Sequence, residues 1–200
     1  MMTSNAPEQL FGGTRWTVRD VVALIATIIV LGVVFSFWGW AMQVLSRVLG
    51  EVAAGLFYGV WFWAGLLLPY VIRKPGAALL GEFGASIVAY LLGSPLGALM
   101  LVLGWVQGLA LELVFAWVHL QHWGLVTMLV AGAVAGTASF AVNLVALPAQ
   151  TALYSSGVII AMFWIAIISG AVLGGLVCKI LADRLLTIAA VQRFLGTPVS

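Results

Sequence analysis

The chain has 200 residues, of which 64% are hydrophobic and only 7% charged, with a net charge of +2. A soluble domain carries roughly 45–50% apolar and ~25% charged residues, so this composition cannot clothe its own surface in water and places the chain in lipid. One cysteine and two histidines exclude an internal disulfide and Cys-rich zinc sites, and eight scattered Lys and Arg residues give no nucleic-acid footprint.

A hydrocarbon core about 30 Å thick takes roughly 20 helical residues per crossing, which leaves room for about five to seven spans. Residues 1–17 read as a polar tail. The first apolar run, 18–46, is too long for a signal-peptide core and is followed by further apolar runs, so it reads as a retained helix. A short connection follows at Arg47–Ala54. The second helix is predicted over 55–72 and stops at Arg73-Lys74-Pro75-Gly76, where charge, proline and glycine coincide. The third runs over 77–92, the fourth over 97–118, the fifth over 125–146 and the sixth over 158–182. A loop is expected over 149–157, and Cys178 reads as a small apolar residue of the last helix.

Six helices in one bundle, over 18–185, put the basic N-terminus, the Arg73-Lys74 turn and the basic C-terminal residues Lys179, Arg184 and Arg193 on one side. Short basic segments stay cytoplasmic, so both termini, including the tail 186–200, are expected there. The opposite side carries Arg47, offset by Glu51. The pairs Gly104/Gly108, Gly132/Gly136 and Gly170/Gly174 have the G-x-x-x-G spacing that lets membrane helices approach closely. They serve packing within the bundle or, alternatively, docking of another subunit.

Charged side chains at membrane depth are costly and mark functional candidates. Glu82 in the third helix and Glu112 in the fourth qualify, accompanied by Gln107 and by Asn143 near the far end of the fifth. At about 100° per residue, Glu112 and His119 share a helix face. Either acid serves equally as a buried partner for Arg, Gln or a backbone group that holds two helices in register. Aromatic residues crowd the second helix, where Tyr58 and Trp61 share a face and form a candidate box for a ring or a cation. An interfacial aromatic belt gives the same pattern.

The two lysines, Lys74 and Lys179, lie in no Gly-Lys-Ser/Thr context, so the chain has no P-loop for ATP, and no H-E-x-x-H metal motif occurs. Gly84-Ala85-Ser86 lacks the partner base that a serine nucleophile requires.

Tyr58-Gly59-Val60-Trp61-Phe62, then Ile72-Arg73-Lys74-Pro75-Gly76-Ala77-Ala78-Leu79 with Glu82, then Leu92-Gly93-Ser94-Pro95 and Val106-Gln107-Gly108 with Glu112 and Phe115, form an ordered set. The set resembles the YkoE-type substrate-binding (S) subunits of energy-coupling factor (ECF) vitamin transporters. The resemblance implies a six-helix, all-α, multi-pass protein of the cell membrane that is not an enzyme. Such a subunit captures thiamine or its hydroxymethylpyrimidine (HMP) precursor from outside. It implies separate transmembrane coupling and ATPase subunits as partners, no cofactor, and a lid over the site formed by the connection at 47–54. Tyr58, Trp61, Glu82, Gln107, Glu112 and Asn143 are the substrate-binding candidates, the polar groups suiting an aminopyrimidine and the aromatic faces a thiazolium. Alternatives are an S subunit for another vitamin, or a scaffold subunit that transports nothing.

Overall fold

The computed structural model describes residues 15–188, and among these every regular element is helical. The expected tails and Arg193 lie largely outside the described residues. Among the described residues five helices are long and apolar enough to cross a membrane: α1 (Val18–Leu49), α2 (Glu51–Ile72), α4 (Leu99–Trp117), α5 (Leu125–Ala146) and α6 (Ser156–Leu186). The apolar helix α3 (Ala77–Leu91) has 15 residues. At 1.5 Å per residue it spans only about 22 Å, less than a hydrocarbon core.

α1 opens with a capping box, in which the Thr17 side chain accepts from the Asp20 amide and the Asp20 carboxylate accepts from the Thr17 amide. It runs three residues beyond the sequence expectation and stops at Gly50, which adopts φ 81°. The connection expected at 47–54 is therefore mostly helical: α1 ends at Leu49 and a new helical turn begins at Glu51. Helical residues also replace part of the loop expected at 149–157, over Pro148–Thr151. The turn at 73–76 is real, with Arg73 and Gly76 both in the left-handed region.

Five helices ring the second in the order α1, α3, α4, α5, α6, and α2 packs against all of them. Its most apolar stretch is accordingly 61% buried, against 22–44% for the other long spans. Two stretches depart from α-helical winding. Within α2, Gly55–Phe62 is wound as a 3₁₀-helix, and within α6, Gly170–Leu176 is wound as a π-helix. They pack against each other. A Cβ at Gly59 would meet the Ser169 carbonyl, so the glycine is what lets the two backbones touch. The Ser169 hydroxyl accepts from the Gly59 amide at 2.9 Å and donates to the Leu56 carbonyl at 2.7 Å. The Trp63 indole donates to the Leu173 carbonyl at 2.9 Å.

All three G-x-x-x-G pairs face inward. A Cβ at Gly132 would land on the Gly170 carbonyl and one at Gly136 on the Ala166 carbonyl, joining α5 to α6. Gly104 and Gly108 admit the Ser86, Leu79 and Glu82 positions of α3 against α4. The small residues are used within the bundle, where close backbone approach supplies the packing that lipid cannot drive.

Candidate functional site

The chain direction of the helices sorts the connections into two ends. Arg19, Arg73, Lys74 and Arg184 lie at one; the connections after α1, α3 and α5 lie at the other. A pocket opens at this second end, between α2, α5 and α6. It is a shallow recess open to the outside.

Its walls are mostly apolar, with Phe140 from α5 and Met162 and Ile165 from α6. Four polar side chains line it: Glu51 and Tyr58 from α2, Asn143 from α5, and Tyr154 from the connection before α6. Among the described residues none of these four makes a side-chain hydrogen bond or an ion pair. Phe140 also meets Phe163 edge-on, with ring centroids 5.4 Å apart, which stiffens the wall.

Two of the six sequence candidates, Tyr58 and Asn143, thus come together on one pocket. The remaining four lie elsewhere and have partners. Trp61 follows Tyr58 by one turn of 3₁₀-helix, about 6 Å deeper. It is buried and meets Phe35 of α1 edge-on, centroids 5.5 Å apart. Gln107 is buried and donates to the Ser139 hydroxyl at 2.7 Å, tying α4 to α5.

Both intramembrane acids bind backbone amides at helix starts. The change from 3₁₀ to α winding at Trp63 leaves amides without intrahelical partners, as any helix start does. Glu82 is fully buried, and its Oε2 accepts from one of them, Gly65, at 2.6 Å. Glu112 does the same for α3 on a larger scale. Its Oε1 accepts from Gly76 at 2.6 Å and its Oε2 from Ala78 and Leu79 at 3.1 and 3.4 Å. A carboxylate beside the positive end of a helix dipole is favourably placed. Gly76, the residue at the α3 N-cap, has no side chain with which to supply that cap itself.

His119 does not share a face with Glu112 as helical spacing predicts. α4 ends at Trp117, and His119 and Leu120 both turn to positive φ, 52° and 55°, which takes His119 off the helix.

Sequence reasoning passed over Glu51 and Tyr154. Glu51 reads as a counter-charge to Arg47, and Tyr154 as part of a featureless loop. The available signal was position: Glu51 is the acid nearest the helix connections on the side away from the basic turns, and Tyr154 is the aromatic residue of the connection between α5 and α6.

Residues 19–138 match the family described as the permease component of the ABC-type cobalt transport system. A Bacillus subtilis (strain 168) protein named as an HMP/thiamine permease, YkoE, is 38% identical over 170 residues, covering 85% of this chain and 84% of its own length. A crystal structure described as an S-component of an ECF transporter superposes with a TM-score of 0.84 at 35% identity, covering 92% of this chain and 91% of that one. The six-helix arrangement and these matches agree with the expected fold, and relatives of this kind are transporter components rather than enzymes. The chain therefore belongs to the YkoE-type S components of ECF transporters, multi-pass proteins of the membrane.

Proposed function

We propose that the chain captures thiamine, or its HMP precursor, in the pocket between α2, α5 and α6, and passes it to the cytoplasm together with separate coupling and ATPase subunits. The observation that carries this reading is the set of four polar side chains, Glu51, Tyr58, Asn143 and Tyr154, that converge on an apolar pocket without partners of their own among the described residues. A site with apolar walls and a few convergent polar groups is what a small ring-bearing ligand needs. The name of the Bacillus subtilis relative supplies the ligand class.

We read the end that carries Arg19, Arg73, Lys74 and Arg184 as the cytoplasmic one, because short basic segments stay inside, and take both termini to lie on that side. The pocket then faces outward, where a capture subunit meets its ligand. Of the sequence candidates, Tyr58 and Asn143 belong to this site. Trp61, Gln107, Glu82 and Glu112 support the bundle that holds it. The family description names cobalt, but among the described residues no three His, Cys, Asp or Glu side chains come together to hold an ion.

The test is calorimetric titration of detergent-purified, ligand-free protein with thiamine, HMP and Co²⁺. Saturable submicromolar binding of thiamine or HMP, weakened by Asn143→Ala, is the expected result. Binding of Co²⁺ alone, or of none of the three by folded protein, overturns the reading.

A further inference from the structure

The two ligands named together for the Bacillus subtilis relative differ in charge. Thiamine carries a permanent positive charge on its thiazolium ring, whereas HMP is neutral at pH 7. A pocket that distinguishes them has to do so through charge or size.

Eleven residues line the pocket, and Glu51 is the one among them with a charged side chain; no Lys, Arg or His takes part. Arg47, one turn earlier at the end of α1, forms no ion pair with it among the described residues. The negative charge is therefore uncompensated by a neighbouring side chain. It lines the pocket together with Tyr58 and Tyr154, whose ring faces favour cations, and with the apolar Phe140, Met162 and Ile165. Because Glu51 is exposed, its attraction for a cation acts at the solvated rim and is screened by salt.

The geometry points to Glu51 as the residue that sets specificity by charge, selecting a cationic aromatic ligand over a neutral one of similar shape. Resting on the capture reading above, this makes thiamine rather than HMP the preferred ligand. Glu51 occupies the first position of a helical turn after Gly50 and is exposed, so its carboxylate stands at the rim, where it meets the charged portion of a ligand and leaves the Asn143 amide for a neutral polar ring.

The experiment isolates charge from shape. Ligand-free, full-length protein is titrated with thiamine, with HMP, and with deazathiamine, the isostere in which the cationic ring nitrogen is replaced by carbon. Wild type is expected to hold thiamine at least about tenfold more tightly than deazathiamine, as a single charge-assisted contact provides. Glu51→Gln removes the charge at nearly constant size. It is expected to weaken thiamine at least about tenfold while leaving deazathiamine within about twofold, so that the preference collapses. Raising salt from about 0.05 to about 0.5 M on wild type tests the same point without a mutation, since it weakens thiamine and leaves deazathiamine unchanged.

Equal thiamine affinity in wild type and E51Q, or thiamine affinity indifferent to salt, overturns the assignment of Glu51. Tight binding of all three ligands without preference overturns it too, while leaving capture intact. Absence of binding by any ligand to wild type overturns the capture reading, and the charge selection with it.

Discussion

The two ends of the bundle treat their polar groups differently. At the basic end several such groups tie one helix to another. Glu112 takes three amides at the start of α3. The Tyr70 hydroxyl donates to Asp183, which also pairs with Lys179. The Arg73 guanidinium lies over the Trp123 ring, 5.5 Å from its centroid, and the Trp16 indole donates to the Pro75 carbonyl at 3.3 Å. At the pocket end Glu51, Tyr58, Asn143 and Tyr154 surround open space with no such commitments among the described residues. Satisfied polar groups hold a structure in one arrangement, and unsatisfied ones at the rim of a cavity are available to a ligand. One end carries the bonds that fix the bundle, and the other carries the cavity of the proposed capture site.

The sharpest way to break this contrast is to attack what both ends share, the helix contacts between them. Gly132→Leu drives a side chain into the Gly170 carbonyl and is expected to cost more than about 3 kcal/mol, seen as loss of a monodisperse species in size-exclusion chromatography. Gly157→Leu, at a glycine with open space around it, leaves the elution profile unchanged.

Next in size, Glu112→Ala strips the acceptor from three amides and lowers stability by about 2 kcal/mol in detergent thermal unfolding, with ligand affinity of the folded protein retained. Asn143→Ala behaves in the opposite way, losing about tenfold in ligand affinity by titration while its stability stays within about 0.5 kcal/mol of wild type. Parallel loss of stability and affinity in both variants would erase the distinction between the ends. The smallest effect belongs to Lys179→Ala. Its pair with Asp183 is partly exposed, so its removal costs under about 0.5 kcal/mol, and the difference vanishes when unfolding is repeated at high salt.

The helices were legible because membrane spans announce themselves by length and by apolar runs: α5 runs over 125–146 as the sequence predicts, and Arg73-Lys74-Pro75-Gly76 marks the turn between α2 and α3. Winding was not legible. Leu56, Tyr58 and Val60 look as ready for an α-helix as any apolar stretch, and what turns the segment into a 3₁₀-helix is its contact with Ser169 and Gly174 more than a hundred residues away. For the acids, rarity made Glu82 and Glu112 conspicuous, yet rarity marks cost, and a buried cap for a neighbouring helix justifies that cost as well as a ligand does. Partners that are backbone amides carry no sequence signature. Glu51 escaped notice for the converse reason: near a helix end it looks inexpensive, and only the fold shows that the surface beside it is concave.

The unusual winding of α2 also sets a depth. Eight residues of 3₁₀-helix rise about 16 Å where an α-helix would rise about 12 Å, so Gly55–Phe62 stretches the central helix by about 4 Å. Gly55 and Tyr58, which line the pocket, stand correspondingly farther from the Gly65–Glu82 anchor than α-helical winding would hold them. How far the binding surface lies from the middle of the membrane is thus fixed by the pitch of one helix, and two backbones pressed together at Gly59 keep that pitch in place.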